Sequence, residues 1–429
     1  MSVTMYCSGG SKVVGLSEYK KPMLIASGHF IEYCDFFLYG LLSPFFIKSF
    51  IPEDHETLAI FYAYALFFIG FFVRPVGIFI WGHVADRYGR KPVLLLTITL
   101  MAIPALGIAL LPTYNYIGFF APTVLIVLRI IQGLAYSGEM PTAIASLYEL
   151  APKNKKIVYC SFLEIGGTSA VVTVSTITAL LTLTTTSDQF SSWGWRVPFV
   201  ISFLAIFILR HIRASSLETI RVKSTELNHP ALYVIQKKYL DVIKICVLIA
   251  PISMIFQSYA TFIPNRLIEL VGMSHSQTFL LTACLFFYIA VLIPITAQIV
   301  KNFDIKALML IGFIGISIAN FFACFLIDFQ NILFLILSLI FIGLFLALLL
   351  ATYISFIAGQ SKKNYRVSQT GFAITLSFAI FGGATPFINT FLSDFFNSTT
   401  ASSFYLIAVS IVASFILYNL KSTRNIGHD

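Results

Sequence analysis

Gly82-His83-Val84-Ala85-Asp86-Arg87-Tyr88-Gly89-Arg90-Lys91 lies between two long apolar runs, residues 58–81 and 92–111. An ionisable side chain at the bilayer centre costs at least ~2.5–3.5 kcal/mol. A stretch holding Asp86, Arg87, Arg90 and Lys91 therefore stays in water. Its apolar neighbours have the ~20-residue length of a helix that crosses a membrane. Open strands cannot span lipid and these runs are too long for barrel strands, so the crossings are helical. Gly82 and Gly89 permit tight turning and close backbone approach. Asp86 can accept bonds from a helix N-terminus or a cation, while Arg87, Arg90 and Lys91 form a cationic cluster.

Outward from this stretch the same alternation repeats along the chain. Twelve apolar segments result: 23–48, 58–81, 92–111, 119–147, 157–184, 197–212, 242–264, 277–299, 307–327, 331–358, 368–393 and 401–420. The composition agrees, with 58% hydrophobic residues, 11% charged and a mean hydropathy of +0.88 over 429 residues. Soluble domains average ~25% charged residues, so a soluble globular chain is excluded, and a disordered one with it. The net charge of +9 does not indicate a nucleic-acid partner, because the cations fall in short loops. The cysteines (Cys7, Cys34, Cys160, Cys246, Cys284 and Cys324) show no metal-ligand spacing and read as reduced, small hydrophobes. Residues 1–21 are polar and carry no signal-peptide pattern.

Lysine and arginine set the expected orientation. Twenty-two of the 28 fall at the N-terminus, in loops 2–3, 4–5, 6–7, 8–9 and 10–11, and in the tail, all on one side. Arg196 and Arg266 are alone on the other side, and both termini are expected in the cytoplasm. The fold class expected is an all-α integral membrane protein, twelve transmembrane helices in two six-helix pseudo-symmetric halves. Residues 1–22 form a cytoplasmic N-terminus, 23–212 the first half, 213–241 a basic central loop, 242–420 the second half and 421–429 a short tail. A weak internal repeat supports the halves: Ile295 to Lys306 follows span 8 as Ile80 to Lys91 follows span 2. Ala297, Lys301 and Asp304 stand there in place of Gly82, Asp86 and Gly89.

Six ionisable residues fall inside the first-half spans: Glu32, Asp35, Glu139, Glu164, Arg74 and Arg129. Glu32 and Asp35 are three apart and share a helix face at about 5–6 Å between Cβ atoms. Two carboxylates so close resist joint ionisation. The pair, with Arg74 or Arg129 as counter-ion, is the expected proton site. Arg129 and Glu139 are ten residues apart, ~15 Å along a helix, and cannot pair directly.

Further pieces, in order, are Gly28-His29-Phe30-Ile31-Glu32-Tyr33-Cys34-Asp35-Phe36, Arg74-Pro75-Val76-Gly77, Arg129-Ile130-Ile131-Gln132-Gly133 through Ser137-Gly138-Glu139, and Tyr148-Glu149-Leu150-Ala151-Pro152. Trp193-Gly194-Trp195-Arg196-Val197-Pro198-Phe199 and Phe381-Gly382-Gly383-Ala384-Thr385-Pro386 follow. Together with Gly82 to Lys91 they resemble the major facilitator superfamily. Within it they resemble the metabolite:proton symporters, which include proline/betaine, α-ketoglutarate, citrate and shikimate carriers. His29, Cys34 and Glu164 depart from the usual residues of that branch.

The resemblance implies a proton-coupled symporter in a bacterial inner membrane, working by alternating access about a midplane site. It implies a proton-transfer role for Arg129, beside Glu32, Asp35, Arg74 and Glu139. It makes Gly82, Asp86, Arg87, Gly89, Arg90 and Lys91 a latch on the inner gate. Tyr39, Glu164, Gln257 and Tyr259 are the candidates for touching substrate. Proline or glycine betaine is favoured over an organic acid, because the second half offers no buried cation beyond Lys244. The expected partners are a small-molecule substrate and the lipid bilayer, with no nucleic acid, for a monomer. No cofactor or metal is expected; the coupling ion is a proton. With nine residues after span 12, no coiled-coil extension of osmosensing carriers is expected. A drug/proton antiporter would carry a Gly/Pro signature in span 5, where Gly166-Gly167-Thr168-Ser169-Ala170 has no proline. A non-transporting sensor is supported only by the eroded second repeat, and nothing supports an enzyme.

Overall fold

A computed structural model describes residues 16–51, 62, 65–66, 68–216, 227–330 and 332–420. Lys12, Arg221, Lys223, Lys421, Arg424 and the beginning of the second apolar segment lie outside them. The membrane helices are α1 (Lys20–Phe46), α2 (Phe68–Tyr88), α3 (Arg90–Leu110), α4 (Phe120–Leu150), α5 (Lys156–Thr184) and α6 (Arg196–Ser216). The second half supplies α7 (Tyr239–Val271), α8 (His275–Val300), α9 (Ile305–Asp328), α10 (Ile332–Gly359), α11 (Lys363–Phe395) and α12 (Thr400–Asn419). Eleven are long and apolar enough to cross a membrane. α1, with 27 residues, is the twelfth long helix.

The outer surface is apolar, with side chains such as Leu96, Phe207, Ile311, Phe387 and Phe415 more than half exposed. Glu32, Asp35, Arg129 and Glu139 are instead fully buried. A water-soluble protein keeps large contiguous apolar patches off its surface, so this inside-out distribution fits a lipid solvent. The halves meet mainly where α5 runs along α8 and α2 along α11.

Three helical stretches widen into π-turns: Phe190–Gly194 before α6, Ser258–Phe262 within α7 and Phe378–Gly382 within α11. Each is followed by a proline whose ring would clash with the carbonyl four residues back: Pro198 with Gly194, Pro264 with Ala260, and Pro386 with Gly382. The wider turn moves that carbonyl aside.

The stretch read as a loop from Gly82 to Lys91 is almost wholly helical. α2 continues to Tyr88 and α3 starts at Arg90, so Gly89 alone makes the turn, at φ 111°. Only glycine adopts that conformation without strain. Gly82 serves close approach instead, since a Cβ there would stand 3.0 Å from Ser368 on α11. α6 likewise runs through Arg210 and Arg213, both read from the sequence as cations of the central segment. A further short helix, Pro230–Lys237, packs beside α2 and leads into α7.

Candidate functional site

The first-half charges lie where α1, α2 and α4 converge. Glu32 and Asp35 occupy successive turns of α1 but take different partners. Asp35 accepts a hydrogen bond from Gln132 Nε2, and Gln132 Oε1 accepts one from Arg129 Nη1. A relay Asp35–Gln132–Arg129 thus joins α1 to α4. The Arg129 guanidinium lies 3.9 Å from the Tyr39 ring centre and donates to the Leu66 carbonyl. A Cβ on Gly70 would stand 2.6 Å from Arg129 Nη2, and one on Gly133 would stand 2.6 Å from the Gly70 carbonyl oxygen. These glycines let α2 and α4 close around the arginine.

Glu32 sits 3.2 Å from His29 Nδ1, one turn back on α1. Arg74 Nε donates to the Gly70 carbonyl at 3.2 Å. Its guanidinium is wrapped by Tyr136, Phe71 and Phe36, at 3.8, 4.2 and 4.7 Å from their ring centres. Arg74 Nη2, Glu32 Oε1 and Asp35 Oδ1 are buried without a hydrogen-bond partner. His29 Nε2, Tyr39 Oη and Arg129 Nη2 beside them are likewise buried without a partner, although buried polar groups are nearly always paired.

Glu139 belongs to a separate cluster nearer the basic face. Arg213 Nη1 donates to Glu139 Oε1 at 2.7 Å, Thr97 donates to Oε2 at 3.0 Å, and Arg213 also donates to the carbonyls of Leu24 and Ile25. Arg213 is fully buried, and a Cβ on Gly28 would overlap its guanidinium. This pair ties α4 and α6 to α1. Removing one member of a buried pair leaves an unpaired charge, at ~3–5 kcal/mol. Arg213→Met is therefore expected to lower thermal stability in detergent, and the double variant Arg213→Met/Glu139→Gln to recover most of the loss. Equal melting temperatures for the single and double variants would refute the pairing.

On the basic face the two halves are bolted together. Asp86 accepts hydrogen bonds from the Val367 and Ser368 amides at 3.1 and 2.8 Å and from Ser368 Oγ at 2.7 Å, at the start of the regular α-helical stretch Arg366–Ser377 of α11. Arg90 bridges Asp86 at 3.1 Å and Glu149 at 3.0 Å. Glu149 also receives Arg366 of the second half at 2.8 Å. Of the other cations in the stretch, Arg87 donates to the Asn228 carbonyl of the central segment and Lys91 to the Ala214 carbonyl at the end of α6, so neither holds α11.

The pseudo-equivalent position lacks such a bolt. Asp304 caps its own helix α9, and Lys306 donates to carbonyls at the end of α12. A cavity of about 650 Å³ occurs there, lined by Tyr19, Lys155, Gln298 and Lys301 among others. Lys155 donates to Glu18 at 2.7 Å and holds that exposed carboxyl below its ordinary range. At the opposite face the halves also touch. Phe45 packs on Phe190, His275 and Phe279, and Thr182 hydrogen-bonds Ser276 at 3.0 Å.

The four substrate candidates fall in four different places. Glu164 meets the second half directly, accepting a 2.6 Å hydrogen bond from the Tyr353 hydroxyl. Gln257 lies beside Gly382, with Oε1 buried and unpartnered. Tyr259 turns within the second half to bond Asn320 at 3.2 Å, and Tyr39 sits under Arg129. Sequence reasoning missed Gln132, Arg213, Arg366 and Tyr353. Only Gln132 left a usable signal, its three-residue spacing from Arg129 on one helix face.

A lipid-facing bundle of two six-helix halves, with charges buried at helix crossings, is the architecture of a secondary transporter. The chain belongs to the Major Facilitator Superfamily, whose sequence profile matches residues 25–232 and 245–426. It is 28% identical, over 94% of its length and 88% of the relative's, to a Staphylococcus haemolyticus protein provisionally named a proline/betaine transporter. It is 27% identical to the alpha-ketoglutarate permease of Escherichia coli, over 90% of each. The fold superposes on a proton:xylose symporter bound to 6-bromo-6-deoxy-D-glucose, with a TM-score of 0.74, 15% identity, and 96% of this chain and 99% of that one covered. The family and its named relatives are membrane transporters of small molecules, not enzymes.

Proposed function

We propose that this transporter is a proton-coupled symporter that imports a small hydrophilic metabolite, with proline or glycine betaine favoured over an organic acid. The observation that carries the reading is the buried relay Asp35–Gln132–Arg129, with Asp35 Oδ1 left open. A proton arriving at that oxygen cancels the charge that holds Gln132 and, through it, Arg129. The change loosens α1 from α4 without exposing a charge to lipid. Glu32 and Arg74 are the second carboxyl–arginine set within reach of the same process.

The excess of cations on the face that carries the Asp86 bolt orients that face, and both termini, to the cytoplasm of a bacterial inner membrane. The bolt is then the inner gate, and alternating access breaks it while the opposite face closes. In the second half Lys244 is exposed, Arg266 is committed to Asp394 and Glu269, and Arg366 to Glu149, which leaves no uncommitted buried cation among the described residues for a second substrate carboxylate. An organic-acid symporter is the second reading, favoured by the open Arg74 Nη2.

The test is uptake of labelled proline, glycine betaine and α-ketoglutarate into proteoliposomes, with and without an inward proton gradient. Gradient-stimulated accumulation of proline or betaine is expected. Accumulation of α-ketoglutarate alone would move the assignment to the second reading, and uptake indifferent to the gradient would refute symport.

A further inference from the structure

Glu164 differs from every other buried carboxylate described above. Asp35 has Gln132 and through it Arg129, Glu32 has His29, Glu139 has Arg213, and Asp86 has Arg90. Glu164 is 2% exposed, its one hydrogen bond comes from Tyr353, and none of the described lysines, arginines or histidines forms an ion pair with it. An uncompensated carboxylate in a dry interior is costly, and this one lies where the halves meet: α5 belongs to the first half and α10 to the second.

Its surroundings are aromatic. The Tyr33 ring lies against Gly167, one turn along α5, at 3.5 Å from the Cβ position, and the unpartnered His29 Nε2 is 3.3 Å from the same point. Tyr33 in turn packs edge-on to Phe256 of α7 at 5.9 Å and beside Tyr136 at 5.9 Å. A carboxylate without a cation, with the Tyr353 hydroxyl on it and the Tyr33 ring one turn away, is an arrangement that can capture an ammonium group. Arg74, over Tyr136 on the far side of this aromatic set, keeps an unused N–H for a carboxylate.

We propose that Glu164 and Tyr353 form the receptor for a cationic nitrogen on the transported molecule. The proposal rests on the transporter reading above and sharpens it from small hydrophilic metabolites to those bearing a positively charged nitrogen. In the empty state the Tyr353 hydroxyl satisfies Glu164. An incoming ammonium takes over part of that role and brings a charge that the carboxylate lacks. Because the two residues belong to different halves, the same event draws the halves together around the substrate. No bond is made or broken.

Isosteres that replace nitrogen by carbon test this directly. 3,3-Dimethylbutyrate has the shape and carboxylate of glycine betaine, and cyclopentanecarboxylate those of proline, but neither carries the cation. Binding of all four compounds is measured by calorimetry on wild type, Glu164→Gln and Glu164→Asp in detergent. The wild type is expected to prefer betaine or proline over its isostere by roughly 30-fold or more. In Glu164→Gln that ratio collapses to within about three-fold, through loss of the nitrogen compound alone. Affinity for the isostere stays unchanged, which shows that the variant is folded, and Glu164→Asp restores part of the ratio. A ratio unaltered by Glu164→Gln overturns the proposal. So does a wild type that accumulates α-ketoglutarate with the proton gradient and binds neither nitrogen compound, an outcome that leaves the transport reading standing. Uptake of no compound, with or without a gradient, overturns both.

Discussion

Asp35→Asn is expected to abolish gradient-driven uptake while leaving substrate exchange across the membrane. Asparagine keeps the size of the side chain and a hydrogen bond to Gln132, so the contact between α1 and α4 survives in shape. It removes the charge that Arg129 reaches through Gln132 and fixes the site in a state resembling the protonated one. Removing one partner of a buried charged set costs ~3–5 kcal/mol. A fall in concentrative uptake of about 100-fold or more follows, since 1.4 kcal/mol is a factor of ten. Exchange needs no change of protonation, and its rate should stay within a few-fold of wild type. Glu32→Gln is the comparison. Glu32 contacts His29 on its own helix and no hydrogen-bond relay to an arginine is seen from it among the described residues, so the larger effect is expected at Asp35. Concentrative uptake by Asp35→Asn at the wild-type level would remove this carboxyl from the coupling mechanism.

The second large effect is expected at Asp86. Its carboxylate holds two backbone amides and the Ser368 hydroxyl of α11 together with Arg90, all of them buried. Asp86→Ala leaves Arg90 with Glu149 as its one carboxylate beside the Ala85 carbonyl, and strips the first amides of that helical stretch of their acceptor. A buried arginine deprived of a partner costs several kcal/mol, enough to move the gate equilibrium by about 100-fold towards opening of the basic face. Native Cys160 reports the change. It lies near the start of α5, on the basic face, and is fully buried. With the other cysteines replaced by serine, maleimide labelling of Cys160 should accelerate at least ten-fold in Asp86→Ala. Equal labelling rates would show that the bolt does not govern the gate.

Much of this architecture is legible in the sequence because lipid demands it. Long apolar runs allow nothing but helices, and the cations between them mark one face. Glu32, Asp35, Arg74 and Arg129 stand out because charge is expensive in such runs. What escapes has physical reasons. Arg213 follows an apolar run and precedes a basic segment, so hydropathy ends the span just where α6 continues and buries it. Gln132 carries no charge and Tyr353 sits in a uniformly apolar helix, so neither signals that it completes a buried partner. The stretch Gly82 to Lys91 shows its chemistry but not its shape. Its charges suggest a loop, whereas Gly89 alone turns the chain and Asp86 reaches α11 from within α2. The pairing of Glu32 with Asp35 follows from helix spacing, but spacing does not reveal that α4 offers Gln132 to one while His29 takes the other. The eroded repeat at Lys301 and Asp304 does show in the structure as an asymmetry. The first half bolts to the second through Asp86, whereas among the described residues Lys301 and Asp304, at the pseudo-equivalent positions, hold no helix of the first half.

Substrate-driven proton movement tests the central claim most directly. Proteoliposomes without an imposed gradient are placed in weakly buffered medium, and external pH is followed as proline or glycine betaine is added. The account predicts a transient external alkalinisation in wild type, absent in Asp35→Asn and restored by a protonophore-sensitive route in no variant lacking that carboxyl. Entry of the labelled substrate with no accompanying proton movement would contradict it.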